Sequence, residues 1–123
     1  MRHFAYLIPR TLSEALLMMH EHAGHIRPLA GGTDLMVELR AGDGRADMDF
    51  ALDLTRIPEL CDISVQGGLV SIGATVTHDS VARSPIVRAA AGMLSQACAS
   101  VGAQQIRNVA TIGGNVCNAA VAA

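Results

Sequence analysis

A chain of 123 residues with a formal charge of −2, half of them hydrophobic, is long enough for one ordinary domain with a packed core, or for part of a larger one. No basic run or basic helical face supplies the positive surface that a nucleic acid or an anionic membrane would demand. Nor does any stretch approach the roughly 18 consecutive apolar residues of a membrane helix. Cys61, Cys98 and Cys117 stand far apart with no CxxC pair, so a zinc or iron–sulfur site within the chain is not expected. Free thiols suit a reducing cytosol, and the apolar stretch before Pro9 is too short for a secretory signal; the chain reads as cytoplasmic.

In chain order, "FAYLI" (Phe4 to Ile8) predicts a strand closed by Pro9. In "TLSE", Thr11 and Glu14 have the spacing of a capping box, which opens a helix with Leu12, Ala15, Leu16 and Met19 at core-facing intervals and Gly24 as its stop. A short apolar run, Pro28 to Ala30, leads into Gly31-Gly32-Thr33, and Leu35, Met36, Val37 and Leu39 suit a second helix. "MDFALDL" (Met48 to Leu54) alternates as a strand does, which makes the order β-α-β-α-β and the class α/β with a partly parallel sheet.

Beyond a boundary expected near Thr55 to Leu60, "CDISV" and "LVSIGA" flank Gln66-Gly67-Gly68 as the arms of a hairpin. Thr77 to Ala82 predicts a helical turn. Ser84-Pro85 is a good helix start, and the helix is expected to run through Cys98 with Val87, Ala90, Leu94 and Ala97 buried.

Two segments about eighty residues apart share one build. "RPLAGGTDLMVELR" (Arg27 to Arg40) and "RNVATIGGNVCNAA" (Arg107 to Ala120) each run from apolar residues into Gly-Gly and then a polar residue. Glycines where a strand hands over to a helix let backbone N–H groups approach a diphosphate closely, with the helix dipole adding positive potential. The first segment has that layout, although the chain has neither the GxxxxGK[ST] of a P-loop nor a GxGxxG. Asp34 would repel a phosphate head-on, so its expected role is to shape the loop by turning onto backbone donors. The second segment offers the Thr111 hydroxyl, close approach at Gly113-Gly114, and the amide side chains of Asn115 and Asn118. Either segment alone is more often a tight turn than a ligand site, and the two together make the readings about equal.

Together, "RPLAGGTDLMVELR" and "QIRNVATIGGNVCNA" resemble the FAD-binding subunit or domain of the xanthine dehydrogenase family of molybdenum hydroxylases, which includes the medium subunit of carbon monoxide dehydrogenase. "FAYLIPRTLSEAL", "ALDLTRIPEL", "VSIGATVTH" and "SPIVRAAAGMLSQACASVGAQQIRN" extend the likeness through the chain. The resemblance implies a two-subdomain α/β FAD-binding domain with the cofactor between the halves. Residues 1–57 would be the first subdomain and 58–123 the start of the second. Pro28, Leu29, Ala30, Gly31, Gly32, Thr33, Asp34 and Leu35 would wrap the diphosphate end of FAD. Thr111, Ile112, Gly113, Gly114 and Asn115 would be the opposite wall.

It also implies an oxidoreductase subunit without catalytic residues or metal ligands of its own. Electrons would come from a molybdopterin subunit through the [2Fe–2S] clusters of another partner and leave FAD for NAD or a further acceptor. The chain stops at "NAAVAA" where family members continue, which implies a fragment or truncated product. The alternatives are an interaction piece that holds no FAD and a stand-alone flavin oxidase of related type. Val121 stands where many relatives have proline. Val101 stands where some have a flavin-stacking aromatic, so ring contacts would come from elsewhere.

Other candidates have plainer readings. His20 and His22 are two apart on a helix and face apart, so "HEHAGH" is not read as a metal site. Arg107 suits either a phosphate or partner contact or a surface salt bridge. His78 is expected at a helix start without a chemical role, Cys117 as a small buried thiol, and the methionines as core.

Overall fold

The computed structural model describes residues 5–31 and 49–118. The first part contains strand β1 (Ala5–Leu7), helix α1 (Leu12–Glu21) and strands β2 (Ile26–Leu29) and β3 (Phe50–Asp53). Thr11 starts α1 in extended backbone, its side chain accepting from the Glu14 amide at 3.1 Å. The Glu14 carboxylate reaches back to the amide of Arg10 at 3.5 Å, one residue earlier than a standard capping box. After α1, Gly24 turns the chain at φ +85°.

The strands form one parallel sheet in the order β1-β3-β2, with Leu7 opposite Leu52 and Leu29 opposite Asp53. As the central strand, β3 has Ala51 and Leu52 wholly buried. Leu52, Ala15 and Ile57 make a core joined by Leu7, Met18 and Ile26. The expected inner face of α1 is corrected here: Leu16 is 59% exposed and Leu12 and Met19 also face outward, so Ala15 and Met18 anchor the helix. The expected second helix at residues 35–39 lies outside the described residues.

A 3-10 turn (Pro58–Leu60) leads into the hairpin of β4 (Ile63–Gln66) and β5 (Leu69–Ile72). Its two-residue loop, Gly67-Gly68, has φ +56° and +79°, the doubly positive pair that a twisted hairpin favours and that glycine adopts without strain. The hairpin is tied to the 3-10 turn by Thr75, whose amide and hydroxyl both donate to the Leu60 carbonyl, at 2.9 and 2.6 Å.

Helix α2 (His78–Arg83) follows with Thr77 as its cap, then α3 (Pro85–Ala90) capped by Ser84, α4 (Gly92–Ser100), α5 (Gln104–Arg107) and α6 (Ile112–Asn118). A second core collects Val76, Val81, Val87 and Cys98, with Ile63, Val70, Ile72 and Ile112 against it. The single helix expected from Pro85 through Cys98 is two helices. Ala91 breaks it with φ −149° and ψ 62°, which resets the register. Ala90, Leu94 and Ala97 therefore face outward, and Ser95 and Cys98 take the buried positions. Met93, expected in the core, is 85% exposed. Among the described residues no helix is long and apolar enough to cross a membrane.

Candidate functional site

The first glycine segment begins on an edge strand. Pro28 sits within β2, where the sheet order leaves one side unpaired and a residue without an N–H is tolerated. The last tie is the Leu54 amide, which donates to the Leu29 carbonyl at 3.0 Å. Ala30 and Gly31 then run past the carboxyl end of the parallel strand, the side on which open α/β sheets bind their ligands. Both are half-buried, and their amides donate to no group among the described residues. Gly32, Thr33, Asp34 and Leu35 lie outside the described residues.

Gly31 is also where the two segments meet. A Cβ built on it would collide with the carbonyl oxygen of Val109 and come within 3.1 Å of the Ala110 Cα. Backbone thus crosses backbone here, at a distance only glycine permits. The sequence spacing between the two segments gave no hint of this contact, because it depends on the path of every element in between.

The second segment is helical. Thr111, 3% exposed, bridges to Thr77 in a short antiparallel pairing, and α6 starts at the next residue. Its first amides are already engaged: Ile112 donates to the Val76 carbonyl at 3.0 Å, Gly113 to the Ala74 carbonyl at 2.9 Å, and Gly114 to the Thr111 hydroxyl at 3.0 Å. Gly113 lies so near Ala74 that an added Cβ would stand 2.6 Å from its carbonyl oxygen. Its glycine serves close packing rather than a left-handed turn. In this segment Asn115 is half-buried, and its side-chain amide has no partner among the described residues.

The structure gives several neighbours definite roles. The Arg107 guanidinium donates to the carbonyls of Val101 (3.1 Å) and Gly102 (2.8 Å) and to the Gln104 side chain (3.1 Å). It therefore holds the turn after α4, where the sequence suggested a phosphate contact or a salt bridge. His78, expected to be a bystander, is 3% exposed and binds the Ala110 carbonyl. Cys117 is exposed, contrary to the buried thiol expected, whereas Cys98 is buried and that burial pushes its thiol pKa up. His22 stacks on Phe50 with ring centres 3.9 Å apart, and His25 lies 3.1 Å from the Asp49 carboxylate.

Near the end of β3, the Asp53 carboxylate accepts from the amide and hydroxyl of Thr55, at 2.8 and 2.6 Å, so its charge is turned into its own loop. Tyr6 has its pKa raised, first by burial and then by the Asp53 charge. An open groove of about 370 Å³ lined by Ala82, Arg88, Gly92, Ser95, Gln96 and Ala99 includes no residue of either glycine segment.

These features fit one end of a phosphate-bearing cofactor. Two successive amides with no acceptor among the described residues stand at the carboxyl end of a parallel strand, against the Val109–Ala110 backbone that leads into the uncharged residues Thr111 to Asn115. Backbone donors so placed suit an anion. The donors come from the first segment. The second segment contributes close packing and one side-chain amide, that of Asn115, without a partner among the described residues.

Comparison with known proteins agrees. Residues 2–123 match the family described as the FAD binding domain in molybdopterin dehydrogenase. The chain is 36% identical to the nicotinate dehydrogenase FAD-subunit of Eubacterium barkeri, over 99% of its own length and 41% of that protein's. It is 35% identical to the carbon monoxide dehydrogenase medium chain of Hydrogenophaga pseudoflava, covering 92% and 39%. Among solved structures, quinoline 2-oxidoreductase from Pseudomonas putida 86 superposes with a TM-score of 0.91 at 31% identity, over 99% of this chain and 42% of that one. The chain thus spans about two-fifths of the length of these relatives. Its mixed α/β fold is that of the N-terminal part of their flavin-binding domain, and the chain belongs to the family of FAD-binding domains of molybdopterin dehydrogenases.

Proposed function

We propose that this chain forms the diphosphate-holding part of an FAD-binding electron-transfer subunit in a molybdenum hydroxylase, with residues 1–57 and 58–123 as the two sides of the cleft. The single observation that carries the reading is the pair of amides at Ala30 and Gly31 with no acceptor among the described residues, Gly31 lying against the Val109–Ala110 backbone. On this reading Pro28 to Leu35 wrap the diphosphate and Thr111 to Asn115 form the facing wall, with the Asn115 side chain as its polar contact. Bound FAD would supply the exchange of electrons between one-electron and two-electron partners. The chain's own residues bind and orient it and keep water from one side.

The relatives' names speak of FAD-subunits and medium chains, which supports a multi-subunit assembly; on this reading one partner carries [2Fe–2S] clusters, another carries molybdopterin, and NAD or another acceptor lies beyond the flavin. The test is flavin content and FAD titration of the subunit bearing these residues, purified with its partners. FAD is expected at one per subunit, and Gly31→Val is expected to weaken its binding ~10-fold or more, since the new side chain displaces the backbone crossing. A native subunit that holds no flavin overturns the proposal.

A further inference from the structure

His78 holds the Val109–Ala110 stretch against which Gly31 lies. Its backbone amide donates to the Ala110 carbonyl at 2.9 Å, and its ring Nδ1 meets the same oxygen at 3.0 Å. A carbonyl oxygen only accepts, so Nδ1 must carry the hydrogen of that bond. Both contacts come from the first residue of α2. That helix is fixed by the Thr77 cap and by Val81, wholly buried in the second core. On the other side of the stretch, the Val109 carbonyl and the Ala110 Cα abut Gly31. The two peptide units are therefore clamped between a buried histidine and a glycine. Thr111, the next residue, carries the start of α6 through its hydroxyl and carbonyl.

We propose that His78 is a positioning residue for the cofactor site: through the Ala110 carbonyl it sets the separation between the two glycine segments. The structural half of this rests on the contacts above, and the cofactor half rests on the proposed FAD function. Loss of the ring bond would leave the Ala110 carbonyl with one donor instead of two. It would also free the 109–111 backbone to shift relative to Gly31 by the fraction of an ångström that matters in binding.

Two polar substitutions separate this from a general packing role. The side-chain amide of His78→Asn places a donor near the position of Nδ1, whereas that of His78→Gln places it near Nε2. Two readouts are taken on the whole subunit with its partners: amide hydrogen exchange at Ile112, Gly113 and Gly114 without flavin, and FAD affinity by titration. His78→Asn is expected to keep both within about threefold of native. His78→Gln is expected to speed exchange at those amides and weaken FAD binding roughly tenfold, the equivalent of one lost hydrogen bond. Equal behaviour of the two variants, or a milder effect of His78→Gln, overturns the proposal. A native protein that takes up no FAD sinks the cofactor reading, while the exchange comparison still decides whether His78 positions the segment.

Discussion

Glycine does two different jobs at the residues that matter most here. At Gly67 and Gly68 it supplies backbone angles closed to most side chains, but at Gly31 and Gly113 it supplies room. Gly113→Ala is expected to destabilise the fold by about 1–3 kcal/mol, as overpacking against a fixed carbonyl does. Gly92→Ala, where nothing lies within 4 Å of the new Cβ and φ is not positive, is expected to be neutral or to stabilise by roughly 0.4–1 kcal/mol. Parallel thermal melts of the two variants check the contrast. The sequence marked both glycine segments as places where backbone comes close to a ligand, whereas the near neighbours of Gly31 and Gly113 in the structure are protein backbone. It could not show which neighbour each glycine approaches, because Ala74 and Val109 are brought in by tertiary contacts. The engagement of the α6 amides was hidden for the same reason, since their partners at Ala74 and Val76 lie about forty residues earlier.

At the level of elements, local signals decided most starts and few faces. Thr11 and Ser84 each cap the helix they were expected to cap, Thr77 caps a helix where only a helical turn from Thr77 to Ala82 was expected, and Gly67-Gly68 turns the hairpin. The break between α3 and α4 was missed, although Gly92 marks it, because the apolar spacing could be read straight through Ala91. One tie between elements gives a pH signature. The Asp79 carboxylate of α2 accepts from the Gln104 side chain of α5 at 3.0 Å and from Arg83 at 3.1 Å. These contacts, Gln104 first, hold its pKa below the ordinary 3.8. A depressed folded-state pKa contributes stability that is present above the unfolded value and is lost as pH falls through the folded one. Asp79→Asn is therefore expected to melt lower than native at pH 6, with the gap closing as pH drops below about 4. Solvent exposure keeps the effect small, and a series of melts across that range checks it. A gap that widens in acid contradicts the assignment.

For the molecule as a whole, the α/β class and the parallel first sheet were legible from the alternation of apolar runs with helical periodicity. The strand order was not, since nothing in β1, β2 or β3 says which of them sits in the middle. That order has a consequence for how the chain comes into being. The central strand is the last of the three to be synthesised, and its neighbours β1 and β2 never pair with each other. No rung of this sheet can form until residues 50–53 have left the ribosome. Until then the one regular element among the described residues that can form locally is α1, a ten-residue helix that is too short to persist in water without tertiary support. A peptide ending at Asp49 is accordingly expected to show no circular-dichroism band for this sheet, and one ending at Leu60 to show it for the first time. The early glycine segment is thus made before the sheet that carries it, and it waits for Val109 and Ala110, about eighty residues further along the chain, before it meets its counterpart.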